Sequence, residues 1–162
     1  MYDIHRRPKQ LHSPQPFDGP RRHIGASRPG NGECRLSKGP VISIVEDDAA
    51  VRAATENLVK SLGFDVYAFA SAQEFLQSHR EAETACLISD VQMPNMSGVE
   101  LQADLANRGF RIPTTFMTAF PDESVRRRAM AAGAVGFLHK PFNGKVLIQF
   151  IQDAISQGGG KA

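Results

Sequence analysis

The 162-residue sequence predicts an α/β fold in which a parallel sheet is covered by helices on both faces. Two observations carry this. Short runs such as VISIV (41–45) and ACLIS (85–89) are apolar at consecutive positions, as strands buried on both sides require. Between the runs lie stretches with apolar residues at helical spacing, closed by Gly63, Gly109 and Gly133.

In chain order, Val41–Val45 reads as the first strand. Ala49–Leu62 follows as a helix with Val51, Ala54, Leu58 and Leu62 on one face, and Asp48 is its expected N-cap. Phe64–Phe69 is the second strand, and Ser71-Ala-Gln-Glu74 is a capping-box pattern opening a short helix. Ala85–Ser89 is the third strand. The loop Asp90–Gly98 leads into a helix carrying Leu101 and Leu105. Pro113–Met117 is the fourth strand, Asp122–Ala132 a helix with Val125, Ala129 and Ala132 on one side, Ala134–Leu138 the fifth strand and Lys145–Ile155 a final amphipathic helix. Five strands alternating with five helices, joined by right-handed crossovers, predict a flavodoxin-like (βα)5 three-layer sandwich of strand order 2-1-3-4-5.

The remaining sequence frames this unit. Residues 1–39 hold eight Lys/Arg against three acids, a balance of +5 that leaves −3 for the rest of a chain of net charge +2. This Pro/Gly-rich segment shows no apolar periodicity and is expected to be a disordered basic extension, read as a solvated tail. The domain proper is expected over 40–157, with a flexible tail at 158–162. The balanced net charge argues against a whole-chain nucleic-acid binder. No apolar run reaches the ~20 residues of a membrane span, and the N-terminus lacks a signal-type apolar stretch. Two cysteines, Cys34 and Cys86, are too few for a disulfide framework or a structural zinc site. A cytoplasmic location is the simplest reading, with Cys86 a reduced core residue.

Ligands of such sheets bind beyond the carboxyl ends of the strands. Glu46, Asp47 and Asp48 follow the first strand, Asp90 the third, Thr118 the fourth and Lys140 the fifth. In the expected order those four strands are neighbours, so these side chains converge on one rim with Asp90 near the middle. Clustered carboxylates repel one another and call for a cation, and hard oxygen ligands in a small acidic cleft suit Mg²⁺. A carboxylate held there can attack a phosphoryl group and become an acyl phosphate. Lys140 supplies positive charge, and the Thr118 hydroxyl can donate to a phosphoryl oxygen.

The segments VISIVEDDAAVR, ISDVQMPNMSGVEL, TTFMTAF and GAVGFLHKPF resemble the matching parts of response-regulator receiver domains, most closely the FixJ-type subfamily, over roughly residues 40–157. The separations of 43, 28 and 22 residues between Asp47, Asp90, Thr118 and Lys140 resemble the family as well. The resemblance implies a signalling domain and not an enzyme beyond its own phosphoryl transfer and autodephosphorylation. A sensor histidine kinase or phosphotransfer protein would pass a phosphoryl group to Asp90. Glu46, Asp47, Asp90 and the Gln92 backbone carbonyl would hold Mg²⁺, Thr118 would be the switch hydroxyl, Lys140 the phosphate-contacting lysine and Phe137 the aromatic switch residue. A cis Lys140–Pro141 bond is also implied. Glu46 stands where Asp is the commoner family residue.

The expected output is a phosphorylation-dependent homodimer or an unidentified downstream protein target, through the face of the fourth helix, fifth strand and fifth helix. Arg126–Arg128 read as a solvated run on that face, and bulky Phe120 as a shield for the phosphoryl group. No DNA-binding segment is read before Ala162, so the chain is expected to be a stand-alone regulator or a fragment. Three rivals remain at this point. An aspartate-nucleophile phosphatase would want a second acid where Gln92 stands, and a flavin-binding protein would want hydroxyls and glycine where EDD stands. The third is an unphosphorylated docking module.

Overall fold

The structure, a computed structural model, describes residues 39–158. The expectations for residues 1–38, including Cys34, and for residues 159–162 lie outside that range. Five parallel strands, β1 (Val41–Val45), β2 (Asp65–Phe69), β3 (Thr84–Asp90), β4 (Thr114–Thr118) and β5 (Gly136–His139), pair in the order β2-β1-β3-β4-β5. The helices are α1 (Ala49–Ser61), α2 (Ala72–Ser78), α3 (Gly98–Asn107), α4 (Glu123–Ala131) and α5 (Gly144–Gly158). The predicted architecture and strand order are those observed.

Alternate strand residues point to opposite faces, which divides the core in two. Ile42, Ile44, Cys86, Ile88, Met117 and Leu138 pack with Val59 of α1 and Leu147, Ile151 and Ala154 of α5. Val45 and Leu87 pack on the other side with Phe75 of α2 and Leu101 and Leu105 of α3. A smaller cluster joins Phe116, Val91, Ala129 and Ala134, with Phe137 against it. Burial on both faces is why the central strands read as continuous apolar runs. β2, at the edge, is half-buried throughout.

Several local expectations need correction. The inward face of α1 is Thr55 and Val59, not the stripe through Ala54 and Leu62, both of which are exposed. A threonine can sit inside because its hydroxyl donates to the Val51 carbonyl at 2.8 Å. On α4, Ala129 is buried and Val125 half-buried, but Ala132 is an exposed C-cap. At α2 the Ser71 hydroxyl accepts from the Glu74 N–H, but the Glu74 carboxylate reaches the Ala70 N–H, so the box is not reciprocal. The reciprocal capping box forms at α3, between Ser97 and Glu100. α5 continues past Ile155 to Gly158.

Candidate functional site

The β1–α1 loop is built by caps. Asp48 Oδ1 accepts from the Ala50 and Val51 N–H groups at 2.9 and 3.1 Å, so this carboxylate is committed to the helix N-terminus. Glu46 and Asp47 are thereby left at the strand end, Glu46 fully buried and Asp47 exposed. Glu46 accepts from the Asp48 N–H through Oε1 at 3.1 Å.

Asp90 is the last residue of β3, one position further than the expected strand end, because its backbone registers with Met117 of β4. Its Oδ1 accepts from the Gln92 N–H at 3.1 Å, which turns the chain out of the sheet. The turn continues to Gly98, whose N–H donates to the Val91 carbonyl at 3.0 Å. A Cβ at position 98 would lie 2.2 Å from the Asp90 carbonyl oxygen and 2.7 Å from Ser89 Oγ. Only glycine lets α3 begin this close to the peptide of Asp90.

Lys140 follows β5 at a cis Lys140–Pro141 peptide bond. Its ammonium donates to Glu46 Oε2 and, at 2.9 Å, to Asp90 Oδ2, with its side chain 16% exposed. Its backbone N–H donates to the Thr118 carbonyl at 2.7 Å. Ligand atoms of Glu46, Asp47 and Asp90 lie within 4.8 Å of one another. Glu46, Asp47, Asp90 and Lys140, expected from the sequence to converge, thus come together at the carboxyl rim of the sheet.

Thr118 reaches the same rim at the end of β4, but its hydroxyl is turned into the next loop. It donates to the Phe120 carbonyl at 3.0 Å and accepts from the Phe120 N–H at 3.1 Å. Phe120 is 70% exposed. Phe137 is half-buried, its ring centroid 6.3 Å from that of Phe116. Arg126 and Arg127 both lie against Glu123, at 3.2 and 3.4 Å, on the exposed side of α4. His139 is exposed.

Electrostatics follow from burial. Desolvation pushes the Glu46 carboxyl up to about 7, assisted by the Asp90 charge and opposed by the Lys140 and Asp48 hydrogen bonds. For Lys140, burial acts to lower the pKa, but the hydrogen bonds and charges of Glu46 and Asp90 outweigh it, and the net shift is upward. The ammonium stays charged. Three carboxylates facing one ammonium leave an excess of negative charge and unfilled oxygen lone pairs, a donor set that fits a small hard cation.

The matching family model is the response regulator receiver domain, over residues 42–152. Nodulation protein W of Bradyrhizobium diazoefficiens is 40% identical over 120 residues, covering 74% of this chain and 53% of that protein. Transcriptional regulatory protein FixJ of the same organism is 38% identical over 116 residues, 72% of this chain and 57% of that protein. The crystal structure of FixJ-N superposes with a TM-score of 0.65 at 35% identity, covering 72% of this chain and 93% of that one. The chain belongs to the receiver domains of two-component response regulators, and its likeness to FixJ agrees with the subfamily read from its motifs. It spans about half the length of the curated relatives it matches. Members of this family are signalling domains that interact with histidine kinases, not classical enzymes. Among the described residues, no helix is long and apolar enough to cross a membrane.

One residue of the site's surroundings was not singled out from the sequence. The Arg52 guanidinium donates to the Glu46 carbonyl at 2.7 Å and lies 3.4 Å from that of Asp47. The available signal was a cation in the first turn of a helix, where the macrodipole disfavours one.

Proposed function

We propose that Asp90 accepts a phosphoryl group from the phosphohistidine of a partner kinase or phosphotransfer protein, and that the resulting charge resets the β4–α4–β5 face. The observation that carries this is the convergence of Glu46, Asp47, Asp90 and Lys140 on one rim, with Lys140 bonded to two of the three acids. An Asp90 carboxylate oxygen supplies the electron pair for a new O–P bond. The N–P bond to the donor imidazole breaks, and the imidazole leaves with that pair and takes up a proton. Glu46, Asp47, Asp90 and the Gln92 carbonyl would hold Mg²⁺, which when bound supplies charge stabilisation to the transferring group. Lys140 remains charged beside the reacting oxygens, and the Gln92 N–H already steadies Asp90.

Thr118 provides the switch. Donating its one proton to a phosphoryl oxygen requires it to release the Phe120 carbonyl, which loosens the approach to α4. Phe137, on the neighbouring strand, follows by repacking against Phe116, shifting a pre-existing equilibrium. The altered face of α4, β5 and α5 serves a second copy of the domain or a downstream protein. The aspartate-phosphatase reading is disfavoured by Gln92, which brings no acid to Asp90.

The test is exposure to acetyl phosphate with Mg²⁺, followed by intact mass and peptide mapping. One phosphoryl group on Asp90 is expected, absent with chelator and absent in Asp90→Asn. Label that persists in Asp90→Asn contradicts the assignment. Sedimentation with and without a phosphoryl analogue examines the dimer, and an unchanged mass removes that part.

A further inference from the structure

Arg52 lies outside the acidic cluster, touches no carboxylate of it among the described residues, and yet holds the backbone that aims it. Its place is unexpected on local grounds. α1 has no acidic residue in its first turn, and Arg52 puts a positive charge beside the positive end of the helix dipole. No salt bridge to Arg52 is found among the described residues. Its guanidinium instead meets the carbonyl oxygens of Glu46 at 2.7 Å and Asp47 at 3.4 Å. The first is a strong hydrogen bond and the second a long one.

Both carbonyls belong to the peptides that carry the acidic pair. The peptide unit between Asp47 and Asp48 has its carbonyl toward Arg52 and its N–H on Glu46 Oε1 at 3.1 Å. The planar peptide cannot turn one end without turning the other. A cation drawing the carbonyl one way thus directs the N–H at the Glu46 carboxylate, and hydrogen bonds in such a chain polarise and strengthen one another. The Glu46 carbonyl, pinned at 2.7 Å, fixes the preceding peptide, from which the Asp47 side chain departs.

We infer that Arg52 is a positioning residue for the divalent-cation site. It presets the orientation of the Glu46 and Asp47 peptides, so that the carboxylates are presented without a rearrangement on binding. This rests on the reading of the site proposed above. Loss of the guanidinium frees the loop peptides to rotate and withdraws a donor bond from Glu46. The consequence falls on cation affinity and spares the phosphoryl-transfer step, because Arg52 reaches neither Asp90 nor Lys140 among the described contacts.

The experiment compares wild type, Arg52→Gln and Arg52→Lys, using Mn²⁺ alone as the probe and electron paramagnetic resonance of the free ion as the readout. Metal-free thermal unfolding is recorded alongside, and acetyl phosphate labelling is measured against Mg²⁺ concentration. Removing an outer partner of a ligand set weakens metal binding roughly tenfold or more, so Arg52→Gln should shift half-saturation by about that factor while the labelling rate at saturating Mg²⁺ stays within about twofold. Arg52→Lys, which can still donate to one carbonyl, should lie between the two, and it carries the test alone should the glutamine variant fail to fold. Wild-type Mn²⁺ affinity in the variants overturns the inference, as does a lowered plateau at unchanged half-saturation. If the wild-type protein binds no Mn²⁺, the reading of the acidic cluster fails first, and the role of Arg52 with it.

Discussion

The ammonium of Lys140 lies 2.9 Å from the Asp90 carboxylate and donates to buried Glu46 at the same time. One cation is shared by two carboxylates that repel each other. It cannot neutralise both, and Glu46, the more deeply buried of the two, is the one whose charged form is disfavoured, first by burial and further by the Asp90 charge.

Glu46 has a carboxyl pKa near 7 in the folded chain, against an ordinary value of 4.5. Its folded pKa is raised, so its stability contribution is complete below pH 4.5 and is lost as pH climbs through 7. In chelator, urea unfolding should show stability falling by on the order of 2 kcal/mol across that window. Glu46→Gln should flatten this slope. An unchanged slope in the variant would assign the pH dependence to another group.

The Thr118 hydroxyl secures both backbone groups of Phe120. Thr118→Val keeps the shape and removes both bonds, at about 1 kcal/mol of stability. Amide exchange at Phe120 should accelerate while Asp90 still takes up label. Exchange at the wild-type rate would mean that the turn is held by something else.

Gly98→Ala drives a methyl into the Asp90 carbonyl, which is backbone and cannot rotate away. Overpacking of this kind costs about 1–3 kcal/mol or more. Chemical denaturation should register the loss, with slower labelling at Asp90 as its peptide shifts. A variant as stable and as reactive as wild type would show that α3 can retreat freely.

Burial pushes the Cys86 thiol up to about 12, from an ordinary value of 9.0. Folded protein at pH 8 should therefore resist iodoacetamide at this position and react once unfolded in urea. The folded pKa is again the higher one, so stability is unaffected below pH 9 and falls as pH rises toward 12. Rapid modification of the native protein at pH 8 would indicate an opening of the core at β3.

The strands were legible because VISIV and ACLIS are short apolar runs of strand length, as strands buried on both faces require. Gly63, Gly109 and Gly133 were legible as stops, and all three take positive φ, at 88°, 87° and 98°. The inward face of α1 was not, because it turns on Thr55, a polar residue whose hydroxyl is satisfied within its own helix. Glu46, Asp47, Asp90 and Lys140 were legible as a cluster from strand ends and strand order alone. The engagement of Thr118 with Phe120 was hidden, since spacing says where a hydroxyl stands and not which partner it chooses. Arg52 was hidden for a related reason: a carbonyl acceptor carries no residue identity.

The pair Lys140 and Glu46 is separated by 94 positions, and the two directly follow the last strand and the first. The reactivity proposed for Asp90 would therefore be a property of the finished sheet. A chain still emerging from the ribosome before residue 140 would hold the acids without their counter-charge. On that reading, signal uptake would wait for molecules whose folding has run to its end.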